Sequence, residues 1–419
     1  MPKIKKITAS EILNGYGVPT VEAKVFLDSG SFGVASFPSG KGGIYDALEL
    51  VDHDAKRFAG QGVLKAVGNI LSPIAPSLVG KDALNQPQID KKMIELDGTP
   101  NKSRLGANAI FTVSMAVAKA AATSSNLPLY LYLRQFLPKT NPKPEVPIPL
   151  LNLINGAVNP NNQLSDFNEF LIVPASFKSY EESLQICSSV HSSLIKELES
   201  KNLTNIRQNE DITTQNFSSN KEALLFLKQA VENISMKHGF DVFFGVNSKA
   251  NNFFNNGKYQ IRDSSASLSS DDLINFYEEL SKSIHLLYFE DPFSQDDWTG
   301  WENFLAKFSQ RTIIAGCDLT ATNLERLQIA LDKKLINAIV IKPSQVGTVT
   351  ESLAIAHAGK AMGLKIIVSH RSNETNDDFI SDFAVAVSSD YVKLGSLTRG
   401  ENISKYNRLL QIDSQLKVL

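Results

Sequence analysis

Five apolar runs in the C-terminal half of the chain recur at one spacing, and that period limits the available folds more than any other feature. Their centres at Leu287, Ile313, Val340, Ile367 and Val392 are separated by 26, 27, 27 and 25 residues. Each run ends in polar or chargeable residues: Glu290-Asp291, Cys317-Asp318, Lys342, His370-Arg371 and Lys393. Continuous apolar runs of this kind fit strands covered on both faces, as in a parallel sheet. Thr350–Met362, with Leu353, Ile355, Ala356 and Met362, supplies a crossover helix that Gly363 can terminate. A steady βα period with functional groups at every carboxyl end describes a (β/α) barrel whose site lies at that face. A doubly wound open sheet is the alternative.

At 419 residues the chain exceeds the roughly 300 at which single cores stop growing, so two domains are expected. The first part lacks the βα period and reads as a smaller α+β domain over residues 1–138. The barrel domain then spans 139–419, entered through Lys139–Pro149 with its four prolines. The formal charge is −2, from 42 basic and 44 acidic residues without long runs of either sign. That balance gives no footing for a nucleic-acid partner or a membrane surface. No apolar stretch long enough for a membrane span and no charged-then-apolar leader occurs, so a soluble, cytoplasmic protein is expected. Cys187 and Cys317 stand far apart and do not suggest a disulfide framework.

Along the first part, residues 1–27 and Phe32–Phe37 read as strands of an antiparallel sheet with one wet face. Pro38–Gly43 reads as a mobile loop, and Val63–Leu78, Gln88–Leu96 and Asn108–Ser124 as helices. The second part opens with strands at Leu150–Ile154 and Phe167–Val173. Helices follow at Glu181–Ser200 and Lys221–Lys237, then a strand at Val242–Val246 and a hairpin-like insert around Asn256-Gly257.

Short motifs are scattered over nearly the whole chain: Gly17–Ala23 (GVPTVEA), Pro38-Ser39-Gly40, Ala47–Leu50, Leu96–Thr99, Gly106–Ile110, Asn155-Gly156, Glu169-Phe170, Glu290-Asp291-Pro292, Asp296-Asp297-Trp298, Ile341-Lys342, Gln345-Val346-Gly347 and Val368–Ser372 (VSHRS). In these the sequence resembles the enolase family, the phosphopyruvate hydratases of glycolysis. The resemblance implies an N-terminal α+β domain, a (β/α)8-type barrel beginning with a ββαα arrangement, and a homodimer. It also implies removal of the proton alpha to the carboxylate of 2-phosphoglycerate and expulsion of the 3-hydroxyl, giving phosphoenolpyruvate. Such chemistry needs a base, an acid for the leaving hydroxide, and Mg²⁺ ions to hold the doubly charged carboxylate.

Matched residue by residue, Lys342 takes the general-base position, and its cationic neighbour Lys393 would lower its pKa. Glu169 and Glu210 take the positions of the carboxylates that act on the leaving hydroxyl. His370, Arg371 and Ser372, with Lys393, take the substrate-binding positions, Arg371 being the phosphate fork.

The metal positions depart from the pattern. The family uses Asp, Glu and Asp from three successive strands, whereas this chain has Asn247, Glu290 and Cys317. The triad's formal charge falls from −3 to −1, and a soft sulfur and a neutral amide replace hard carboxylates. Asp318 follows Cys317, but strand alternation would point it the other way. Further departures affect the loops. Lys41-Gly42-Gly43 lacks a serine metal ligand, Asn14-Gly15-Tyr16-Gly17 lacks an arginine, Asn159 stands nearest a missing histidine, and Asn209-Glu210-Asp211-Ile212 lacks two glycines.

Three functions remain open on this reading. The first is a homologue that has lost Mg²⁺-dependent catalysis and binds a small phosphorylated carboxylate or serves in assembly. The second is a working enolase with altered metal ligation, and the third is a different reaction on a carboxylate with Lys342 and Lys393 as acid and base. Cys317 with Glu290 is also a donor pair suited to Zn²⁺, set against a buried, unreactive cysteine.

Overall fold

The computed structural model describes residues 1–40, 42–139, 143–156, 167–201, 212–213 and 217–418. Alternation of apolar and polar residues in the first strands gives an antiparallel meander, β1 (Ile4–Leu13), β2 (Pro19–Leu27) and β3 (Phe32–Ser36). In β2, Val21, Ala23, Val25 and Leu27 are buried, while Glu22, Lys24 and Phe26 between them are only partly covered. The buried face packs on the helix Ala107–Ser124, whose many alanines allow close approach. Gln86–Asp97 is a second helix, and the 64–78 stretch includes a wide turn, Ile70–Ile74, around Pro73.

The second part is the barrel that the period implies. In chain order its strands are β4 (Ile148–Pro149), β5 (Leu151–Asn155), β6 (Glu169–Pro174), β7 (Val242–Asn247), β8 (Leu286–Glu290), β9 (Ile313–Gly316), β10 (Ala338–Ile341), β11 (Lys365–Ser369) and β12 (Tyr391–Lys393). From β7 to β12 neighbours are parallel, while β6 runs antiparallel to both β5 and β7. Helices Tyr180–Ser200 and Asn220–Asn233 separate β6 from β7, so the barrel opens ββαα. β4 pairs with β12, β5 pairs with β6, and Leu150 between them donates its N–H to Val392 O at 2.8 Å. One run of chain thus links β12 to β6 and brings the sheet round into a barrel, and a two-residue strand, Ile212–Thr213, pairs in parallel on the far side of β5.

Within each strand, alternate residues fill the barrel or face the helices. Leu171, Val173, Tyr288, Ile313, Ala315, Ala338, Val340, Ile367 and Tyr391 form the interior cluster, and Ile339, Ile341, Ile366 and Val368 pack outward. Gly245 makes room for one interior ring, since a Cβ there would lie 2.9 Å from Tyr288 Cβ. The same parity carried to the strand ends puts Glu169, Asn247, Glu290, Cys317, Lys342 and Lys393 on the interior side at the top of the barrel.

Two local expectations change and one holds. The helix read as Lys221–Lys237 stops at Asn233, and Ser235 lies in the left-handed region at φ 60°. Pro38–Gly43, read as a mobile loop, is tied at Ser39, whose N–H and C=O both pair with Asn373 at 3.0 Å. The hairpin insert is present, with Asn256 and Gly257 both at positive φ, as a tight two-residue turn requires.

Candidate active site

The strand ends and the 38–50 segment of the first domain enclose a cleft of about 620 Å³. Asn247, Glu169 and Glu290 sit opposite one another in register, with Asn247 between the two glutamates. Its Nδ2 donates to Glu169 Oε2 at 2.7 Å and to Glu290 Oε1 at 3.1 Å. Lys393 Nζ, 3% exposed, donates to Glu169 Oε2 at 2.6 Å and Glu290 Oε2 at 2.7 Å. Tyr288, two residues before Glu290 and therefore on the same face, adds its hydroxyl to Glu290 Oε2 at 2.7 Å. Both oxygens of Glu290 are engaged by donors belonging to the protein.

This wiring sets the ionisation states. Burial pushes the Glu169 carboxyl up, but Lys393, the Asn247 amide and His370 together hold it down at about 2. Burial likewise works against the Lys393 charge, yet Glu169 and Glu290 keep its ammonium well above its ordinary value. Lys342 differs from the sequence expectation. Burial lowers it, and Lys393 and Arg371 act in the same direction, but Cys317 and Glu290 outweigh them and leave it raised. No carboxylate among the described residues lies within ion-pair distance of Lys342 Nζ. His370 is driven down to about 3, mainly by burial, and its buried Nδ1 has no partner. It is a neutral wall of the cleft.

Arg371 is already committed. Its Nη1 lies 3.1 Å from Asp46 Oδ2 and its Nη2 3.7 Å from Glu49 Oε1, both acids coming from the first domain. The guanidinium expected to fork a phosphate therefore shares its donors with two carboxylates. Gln345 fixes Asp46 from the other side at 3.1 Å. Ser372 is exposed at the rim of the cleft. Glu210 and Asn159 lie outside the described residues.

The corner around Cys317 also departs from expectation. β9 ends at Gly316, so strand alternation no longer governs the next residues, and both Cys317 and Asp318 line the cleft. Asp291, at φ 43°, turns back to accept the N–H groups of Cys317 at 2.9 Å and Asp318 at 2.8 Å. Burial first, then Asp318 and Glu290, push its carboxyl up to about 8. Burial also pushes the Cys317 thiol well above its usual range. Sequence reasoning missed Asp291, Asp46, Glu49, Tyr288 and the half-buried Lys249. Only Tyr288 had a usable signal, its i, i+2 relation to Glu290.

Two family models match the chain: the enolase C-terminal TIM barrel domain over residues 143–418 and the enolase N-terminal domain over residues 4–133. The chain belongs to the enolase family. With this homologue so placed, the fit of its residues to the family's Mg²⁺ can be tested against the geometry. Mg²⁺ needs near-octahedral oxygen donors at about 2.0–2.1 Å. Here Asn247 turns its amide N–H groups toward both glutamates, Lys393 and Tyr288 hold Glu290, and Cys317 offers a protonated sulfur. These residues do not fit Mg²⁺. No helix among the described residues is long and apolar enough to cross a membrane.

Proposed function

We propose that this enolase homologue no longer carries out the magnesium-dependent dehydration of 2-phosphoglycerate and that its cleft binds a small phosphorylated carboxylate. The observation that carries this is the closed pairing of Lys393 with Glu169 and Glu290, in which an ammonium supplies the charge compensation that a dication would give. Two further features support it. The Lys393 ammonium against Glu169 favours the ionised carboxylate, which speaks against Glu169 as the acid for a leaving hydroxide. Lys393, held as an ammonium between two glutamates, is a poor acid or base, which speaks against a Lys342–Lys393 acid–base pair. For an anion, Lys342 offers an ammonium with no carboxylate among the described residues within ion-pair distance, and Arg371 retains donors beyond those given to Asp46. In this reading the protein works in the cytoplasm as a homodimer, and light scattering should return twice the chain mass.

Phosphoenolpyruvate formation from 2-phosphoglycerate with Mg²⁺ tests the proposal. No turnover is expected; a rate on the order of 10 per second, typical of enzymes, overturns it. Binding should remain: 2-phosphoglycerate is expected to raise the melting temperature equally with and without added Mg²⁺. Asn247→Asp with Cys317→Asp should restore Mg²⁺ binding by calorimetry. Turnover in that variant would identify the metal corner as the main break.

A further inference from the structure

The corner that rejects Mg²⁺ still holds a set of converging donors. One oxygen each of Glu290 and Asp291 and Sγ of Cys317 all lie within 4.8 Å of one another, and all three residues are buried. Two strand ends and one backbone turn produce this. Glu290 closes β8, Cys317 follows β9, and the left-handed Asp291 folds its carboxylate back across the gap between those strands. The hydrogen bonds that Asp291 accepts from Cys317 and Asp318 fix its position and leave a lone pair on each oxygen. Glu290 divides its two oxygens between tasks. Among the described residues Oε2 takes Lys393 and Tyr288, whereas Oε1 takes the longer bond from Asn247 alone.

A second observation is independent of that cluster. Asn247 is 5% exposed and its Oδ1 has no hydrogen-bond partner among the described residues. It lines the same cleft as Glu290, Asp291 and Cys317 and stands in register with Glu290 on the neighbouring strand. A buried amide oxygen left unpaired is destabilising, and a cation in this corner would satisfy it.

We propose that the corner has changed metal class and takes a thiophilic divalent ion of the Zn²⁺ or Co²⁺ type. Its ligands are Cys317 Sγ, Glu290 Oε1 and an Asp291 oxygen, and the fourth position is open to water or to Asn247 Oδ1. One thiolate with oxygen donors suits four-coordinate Zn²⁺ and Co²⁺, whereas Mg²⁺ gains nothing from sulfur. Binding forms the metal–sulfur and metal–oxygen bonds. Binding through sulfur requires the thiolate, so the Cys317 thiol proton leaves to solvent as the metal–sulfur bond forms. The inference rests on the reading that Mg²⁺ has lost its ligands, and its test reads a bond rather than turnover.

The test is a Co²⁺ titration of chelator-stripped, full-length protein under reducing conditions, followed by absorption. The expected result is one Co²⁺ per chain with a near-ultraviolet sulfur-to-cobalt charge-transfer band, displaced by Zn²⁺ and untouched by excess Mg²⁺. Cys317→Ser should abolish the band, and Cys187→Ser, altering the other buried thiol, should leave it intact. Asp291→Asn, which keeps the side-chain shape, should weaken Co²⁺ by at least the roughly 10–100-fold that outer partners of metal ligands are worth. Far-ultraviolet circular dichroism confirms that each variant is folded. Absence of a band in the wild type overturns the proposal. So does a band that survives Cys317→Ser, or displacement by Mg²⁺. Phosphoenolpyruvate formation in untreated protein would instead strike at the functional reading and leave the cobalt result standing.

Discussion

Two buried carboxylate clusters in this protein are solved by opposite means. Asp90, on the helix Gln86–Asp97, is 1% exposed and is surrounded by neutral donors: Ser114 Oγ at 2.6 Å, Gln86 Nε2 at 3.0 Å, and Thr350 through its N–H at 2.9 Å and hydroxyl at 2.6 Å. It ties the first domain to the start of the barrel helix Val349–Ala361. Burial outweighs those hydrogen bonds and pushes its carboxyl up to about 6. Glu169 is also buried, at 7% exposed, but the Lys393 ammonium brings it down to about 2. Neutral donors position a carboxylate; a paired cation is what keeps it charged in the interior. At the top of the barrel the remaining carboxylates Glu169 and Glu290 are held charged by the Lys393 ammonium.

The strongest way to break the contrast is Lys393→Met. Removing the ammonium leaves Glu169 and Glu290 buried without compensation, and loss of one partner of such a group costs about 3–5 kcal/mol. Urea unfolding should show a loss of that order. Adding Glu169→Gln should recover part of it, because less uncompensated charge then remains. A Lys393→Met protein as stable as wild type would mean that the carboxylates are reached by water and the pairing does not matter.

Period and parity carried most of the architecture. The spacing of Leu287, Ile313, Val340, Ile367 and Val392 located β8 to β12, and counting by twos from interior residues reaches Glu290, Cys317, Lys342 and Lys393. Composition could not show that Arg371 is held by Asp46, 325 positions away, because no local pattern records a contact made by folding one domain over another. Asp318 was misjudged, and Asp291 overlooked, for a related reason. Alternation holds only while the backbone is extended, and β8 and β9 end at Glu290 and Gly316, just before these residues. The raised pKa of Lys342 was likewise out of reach, since it depends on the summed field of Cys317, Glu290, Lys393 and Arg371.

A second test works through pH. In the folded protein Asp90 holds its proton up to about 6, against an ordinary value of 3.8, so between those values the native state binds more protons than the unfolded chain. Stability therefore falls as pH rises through this window, by about 3 kcal/mol for a shift of this size. Glu169, with the opposite shift, contributes stability that is lost only as pH falls from its unfolded value toward about 2. Asp90→Asn should remove the downward slope between about pH 4 and 6 while leaving the acid limb in place. Urea midpoints for both proteins across that range decide it, and parallel profiles would show that Asp90 does not titrate in the interior.

The smallest effect sharpens the comparison most. Tyr288→Phe deletes one neutral donor to Glu290 and leaves Lys393 at 2.7 Å from the same oxygen. A hydrogen bond to a charged group is worth about 1.5–3 kcal/mol, and the remaining ammonium should keep the loss near the lower end. The ring stays, so the barrel interior beside Gly245 remains filled. If Tyr288→Phe costs about 1.5 kcal/mol and Lys393→Met two or three times as much, charge rather than hydrogen-bond count holds the site together. Equal losses would mean that Glu290 is satisfied donor by donor, as Asp90 is, and that the ammonium does not stand in for a metal.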